Sequence, residues 1–123
     1  MTMALADDVI VHRVGGADPA DLRLTPQDAG ASPPGLSVLI GGTPHEAADQ
    51  MRTTFPGRRW LGLAATVGSA TAAAIRATGF DVIAARSAKL PNHGRIVHPA
   101  GVAGFTDANL ASLSAAFLVT TGC

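Results

Sequence analysis

The chain is poor in the residues that carry most easily recognised chemistry. It has one cysteine, Cys123, no tyrosine, one tryptophan, four phenylalanines and a single glutamate, Glu46. One thiol excludes an intramolecular disulfide framework and a cysteine-based zinc site, and it fits a reducing compartment. So few rings leave no stacking platform of the kind that reads single-stranded nucleic acid. Long hydrophobic runs are missing as well. The uncharged stretch between Arg59 and Arg76 is too short for a membrane span and contains Gly, Ser and Thr. Asp7 and Asp8 stand where a secretory signal needs positive charge, and Cys123 makes no prenylation box, so a soluble cytoplasmic protein is expected. The glycine pairs fit neither a P-loop nor a dinucleotide fingerprint, and there is no Gly-x-Ser-x-Gly elbow.

What remains is ordinary globular material. The 123 residues are 47% hydrophobic and 15% charged, with a mean hydropathy of +0.28. That excludes disorder and gives one domain, residues 1–123, with a core of Ala, Val, Leu and Ile. The net charge is zero, but the charges are sorted. Residues 1–50 hold seven acids against Arg13 and Arg23, whereas residues 51–98 hold seven bases against Asp81. If the fold kept these halves apart, a basic face would be available to phosphates or to an acidic partner.

Periodicity predicts strands at residues 9–14, 36–40, 80–83 and 95–98, with a further one within 60–67. Thr43-Pro44-His45-Glu46 is a helix start with a capping box, followed by Ala47, Ala48, Met51 and Phe55 at helical spacing up to Pro56-Gly57. Ser69 is expected to cap a second helix over residues 70–78, stopped by Gly79, and a third runs from about Asp107 to Phe117. The expected architecture is a compact α+β domain with a mostly antiparallel sheet of about five strands and about three helices.

The densest polar cluster is Pro91-Asn92-His93-Gly94-Arg95-Ile96-Val97-His98-Pro99. Strand alternation puts His93 and Arg95 on one face and His98 on the other unless the chain turns at Pro99. An imidazole beside a guanidinium suits proton transfer next to a bound phosphate, or a joint hold on a pyrophosphate. Arg13 lies in an otherwise apolar strand, where half-burying it calls for an anion, either a ligand phosphate or a nearby acid such as Asp8. Ser37, on the second strand, could bond a ribose or an amide. His12 and His45 read as structural or capping-region residues. His93 and His98 lack the helical spacing of a metal pair, so no metal is expected.

Two resemblances add to this. Residues 64–82 look like the strand–loop–helix–strand piece of uroporphyrinogen-III synthases, with Gly68-Ser69 starting the helix and Gly79 ending it. More broadly, Val11-His12-Arg13-Val14, Gly35-Leu36-Ser37-Val38 and Leu90-Pro91-Asn92-His93 leading to Ile96-Val97-His98-Pro99 resemble small bacterial toxins of the ADP-ribosyltransferase-like class. These include type VI secretion effectors and toxin–antitoxin toxins. The resemblance implies an NAD cleft bound by Arg13 and Ser37, with His93 opening the late strand. Many active members use a late glutamate, and here Glu46, in a helix start, is the only one.

The expected function is therefore a toxin-like domain acting on NAD or transferring ADP-ribose, with His93 and Arg95 at the reacting centre. Two other readings stay open. One is an RNase toxin using His93, His98 and Arg95. The other is a non-enzymatic immunity, antitoxin or adaptor module. Candidate partners are a cognate antitoxin or immunity protein and a second copy of the chain, with no membrane and no nucleic acid except as an RNase substrate.

Overall fold

A computed structural model of the protein describes residues 5–57 and 65–123. Its strands are β1 (Ile10–Val14), β2 (Leu36–Ile40), β3 (Val67–Thr71), β4 (Asp81–Ala84), β5 (His93–Val97) and β6 (Leu118–Thr120). They form one sheet in the order β4-β5-β2-β1-β3-β6, with every pair antiparallel. The helices are α1 (Pro26–Ala29), α2 (Pro44–Thr54), α3 (Ala72–Arg76) and α4 (Asp107–Ser114), with 3-10 turns at Pro19–Leu22 and Gly101–Gly104. The α+β class and the antiparallel sheet agree with the sequence reading.

Period-two alternation gives the sheet two buried faces. Val11, Leu36, Val38, Ala70, Val82 and Ile96 point one way and meet Leu22, Ile75, Phe80, Leu110, Leu113 and Phe117. Val14, Leu39 and Val67 point the other way, under Ala47 and Ala48 of α2, with Leu90 and Cys123. The second cluster is smaller and covers only part of its face, which is where open space is left.

α2 forms as its sequence dictates. Thr43 Oγ1 accepts from the Glu46 amide at 3.1 Å, Glu46 Oε1 accepts from the Thr43 amide at 3.0 Å, and Pro44 occupies the first turn. The reciprocal bonds satisfy two end amides that have no intrahelical partner.

Several expectations are corrected. Ser69 caps no helix. It lies inside β3, whose five residues pair in register with β1, and the cap of α3 is Thr71, which accepts from the Ala74 amide at 3.1 Å. The alanine-rich run has good helix propensity, but pairing with both β1 and β6 wins. Gly68 makes that pairing possible, because a Cβ there would overlap Ala17. The resemblance of residues 64–82 to a strand–loop–helix unit therefore fails at Gly68-Ser69, which is strand. Of the strand expected within 60–67, residues 60–64 lie outside the described residues and Val67 opens β3. The last helix ends at Ser114, and the apolar tail beyond it supplies β6, a sixth strand.

The charges sorted along the chain are interleaved in space. Arg76 pairs with Asp7 at 2.6 Å and with Asp81 at 2.7 Å, and Arg23 with Asp107 at 3.3 Å. The hydrogen bonds to Asp81 and then Asp7 raise the Arg76 pKa above its ordinary value, against the opposing effect of burial. No helix among the described residues is long and apolar enough to cross a membrane.

Candidate functional site

The site begins where the sheet parts. β1 and β2 pair only at Val11 with Ile40 and at His12 with Leu39. Beyond that the strands separate, and a cleft of about 410 Å³ opens between them, the end of α2 and α1. This volume lies within the usual range of small-molecule sites, about 300–1,000 Å³. Arg13 alternates toward the other face, yet it lines the cleft through the gap. Its Nη1 donates to the Ser37 carbonyl at 2.9 Å, and Nη2 reaches the Asp21 carbonyl at 3.4 Å. Burial lowers the Arg13 pKa below its ordinary value, against the pull of Asp28 and Asp21. An arginine so lowered still stays charged.

β5 supplies the other wall. Register with β2 sets His93 beside Leu39 and Arg95 beside Ser37, all on the cleft face. Asn92 fixes the start of the strand: its side-chain amide donates to Gln50 Oε1 at 3.0 Å and to the Ile40 carbonyl at 3.3 Å. This ties β5 to both α2 and β2. His93 is 8% exposed, and its Nδ1 lies 2.7 Å from the Ala85 carbonyl. A carbonyl only accepts, so Nδ1 carries the hydrogen and Nε2 of the neutral ring is the acceptor. Nε2 makes no hydrogen bond among the described residues and is not sealed from solvent. Arg95 donates through Nη1 to the Gly35 carbonyl at 3.1 Å and stands 3.9 Å from Asp28 Oδ1.

The cleft is polar at one end and apolar at the other. Arg13, Asp28 and Arg95 hold the charged end, while Met51, Phe55 and Leu90 hold the apolar end where α2 stops. Along β5, His93 and Arg95 are two residues apart, a spacing of about 7 Å on one strand face. A base at the first and a charge-binding group at the second can handle a ligand that joins a flat ring to an anion.

Four of the five predicted residues, Arg13, Ser37, His93 and Arg95, therefore meet in one cleft. His98 does not. Its Nδ1 accepts from the Ala100 amide at 3.0 Å, and its ring stands edge-on to Phe80, centroids 4.9 Å apart, on the opposite face of the sheet. It packs against Gly104, where there is no room for a Cβ. His93 and His98 thus cannot act together on one phosphate. Glu46 is spent in its capping box.

Two residues that the sequence reading did not place in the site are there. Among the described residues, Asp28 is the one carboxylate in the cleft wall. Its signal was the Thr25-Pro26 helix start, which fixes Asp28 one turn in, where Thr25 Oγ1 accepts its amide at 3.1 Å. His12, 1% exposed, lines the cleft from the row between Ser69 and Leu39. Its Nε2 is 2.9 Å from the Gly42 carbonyl and Nδ1 is 2.7 Å from Ser69 Oγ. The carbonyl fixes Nε2 as donor, so in the neutral ring Ser69 donates to Nδ1. Among the described residues no three His, Cys, Asp or Glu side chains gather to hold a metal ion. No protein-family model, no curated protein and no solved structure matches this chain.

Proposed function

We propose that the chain is a small toxin-like enzyme of the ADP-ribosyltransferase-like class that takes NAD as its substrate. One observation supports this above the others. Arg13, Ser37, His93 and Arg95, distant in sequence, meet in a cleft with a charged and an apolar end. In this reading Arg13 and Arg95 hold phosphate oxygens, for which planar guanidinium donors are well suited. The Ser37 hydroxyl bonds a ribose. The nicotinamide ring lies toward Met51, Phe55 and Leu90.

His93 then faces the sugar between ring and phosphate. The bond from C1′ to the nicotinamide nitrogen breaks, and its electron pair leaves with the ring. A hydroxyl oxygen of water or of a target forms the new bond to C1′. That hydroxyl gives its proton to His93 Nε2, whose opposite nitrogen is already anchored on Ala85. In this reading Asp28, which lines the cleft, favours the positive charge that develops on the sugar. A cognate antitoxin or immunity protein would silence the enzyme by covering this cleft.

The test pairs bacterial growth with nicotinamide release from NAD. Wild type, Arg13→Ala and His93→Ala are expressed at matched soluble levels, and the purified proteins are incubated with NAD. Wild type should arrest growth and release nicotinamide, and each substitution should relieve the arrest and cut release by about 10²-fold or more. Normal growth together with no nicotinamide release by wild type would refute the proposal.

A further inference from the structure

The charged end of the cleft is balanced before any ligand arrives. Arg13 and Arg95 supply two positive charges, and Asp28 and Asp21 act on them with two negative ones. The two acids are held very differently. Asp21 is built into the fold, since its Oδ2 accepts from the Asp18 amide at 3.2 Å and its neighbour Leu22 is fully buried. Asp28 stands 3.9 Å from Arg95 Nη1, within ion-pair reach, and its carboxylate accepts no hydrogen bond among the described residues. It is carried by α1, a four-residue helix that buries no residue fully. Among the described residues α1 makes one hydrogen bond outside its own turn, from the Gly35 amide to the Asp28 carbonyl at a long 3.3 Å. Fully buried Leu22 and Leu36 anchor the chain on either side, so the segment between them can shift while the sheet stays in place.

We propose that Asp28 holds the place of a ligand pyrophosphate, and that the ligand displaces it from Arg95 and moves α1. The inference rests on the nucleotide reading of the cleft and adds a conformational step to it. A pyrophosphate diester carries one negative charge on each phosphate, so it matches the two guanidiniums by itself. Once it is seated, both acids are surplus and are repelled by it. The Asp28 and Arg95 side chains are only 13% and 21% exposed, so water screens that repulsion poorly. Asp21 cannot yield without breaking its turn, whereas Asp28 loses one long ion pair that the ligand replaces on Arg95. The ligand therefore exchanges with Asp28 instead of adding to it. The carboxylate is then free of the guanidinium that neutralised it, and its charge becomes available to the cation that forms on the sugar. A seated pyrophosphate thus arms the residue.

The experiment uses ADP-ribose, which has the pyrophosphate of NAD but no nicotinamide to lose, with wild type and Asp28→Asn. Affinity is measured by calorimetry. Exchange of the Gly35 amide is followed by NMR, with the Leu39 amide, paired to His12 in the sheet, as the internal control. Thermal melts show that the variant is folded. ADP-ribose should speed Gly35 exchange in wild type at least about tenfold without speeding Leu39. Asp28→Asn should bind ADP-ribose at least about tenfold more tightly, because no carboxylate has to leave, and should exchange Gly35 faster than wild type even without ligand. If ADP-ribose binds wild type but Gly35 exchange is unchanged or slowed, or if Asp28→Asn binds no more tightly, the displacement is overturned and the NAD reading stands. No binding to wild type overturns the displacement as well, and nicotinamide release from NAD then decides the NAD reading on its own.

Discussion

Replacing Gly68 with alanine asks whether residues 67–71 are strand or helix start. In the fold, a Cβ at Gly68 overlaps the Ala17 Cβ and stands 3.3 Å from Phe117 Cδ1. Ala17 is 3% exposed and Phe117 7%, so neither has free space to move into. Adding a carbon to a packed core of this kind costs about 1–3 kcal/mol. Against that, exchanging glycine for alanine stiffens the unfolded chain and returns about 0.4–1 kcal/mol. The net expectation is a destabilisation of about 1–2 kcal/mol. Urea unfolding should show a lower midpoint with an unchanged slope, since the surface exposed on unfolding is the same. In the helix-start reading, Gly68→Ala would be neutral or stabilising, because alanine is the better helix former. A change within about 0.5 kcal/mol, or a gain, would therefore refute the packing argument. The pair Ala17→Gly with Gly68→Ala removes the overlapping atom. It should be more stable than the sum of the two single changes predicts, and strict additivity would point to another cause.

Other expectations follow from single contacts. Thr43→Ala removes the α2 cap and should lower stability by about 1 kcal/mol, read by urea unfolding. Ser69→Ala and Thr71→Ala separate the capping role, expected of Ser69 from sequence, from the residue that holds it. Thr71→Ala should show the cap penalty of about 1 kcal/mol. Ser69→Ala leaves the buried His12 Nδ1 without its donor and should cost about 1–3 kcal/mol. Arg76→Ala should speed amide exchange in residues 5–9, because its guanidinium holds the Leu5 carbonyl and Asp7 to Asp81. Its global cost should stay under about 1 kcal/mol and shrink in high salt, as for other exposed ion pairs. Asn92→Ala, which frees the start of β5 from α2, should loosen the hold on His93 and reduce nicotinamide release.

The elements with strong local signals were legible from sequence. The Thr43-Pro44-Glu46 start of α2 required no tertiary information, because its bonds close within one turn. Strand alternation also placed His93 with Arg95 and separated both from His98, which the sheet confirms. The failures share a cause. Val67–Thr71 carries no β-branched run and leads straight into the alanines of α3, so long-range pairing with β1 and β6 decides its state. β6 is three residues long and exists because β3 offers an edge. Asp28 was invisible as a site residue for the same reason. What makes it notable is Arg95, 67 positions further on and 3.9 Å away.

The parting of β1 from β2 has a consequence for any molecule that enters the cleft. Where the ladder stops, the Ser37 carbonyl is satisfied by the Arg13 guanidinium instead of a backbone amide. The same cation therefore stitches the sheet and is offered to the ligand. A ligand that draws Arg13 outward undoes a stitch, whereas one that accepts its remaining donors leaves the seam closed. Occupancy and cohesion of the central strands become one equilibrium, so the melting temperature should report how a ligand binds as well as how tightly. Two ligands of equal affinity could then raise it by different amounts if they also differ in their effect on the unfolding heat capacity or enthalpy.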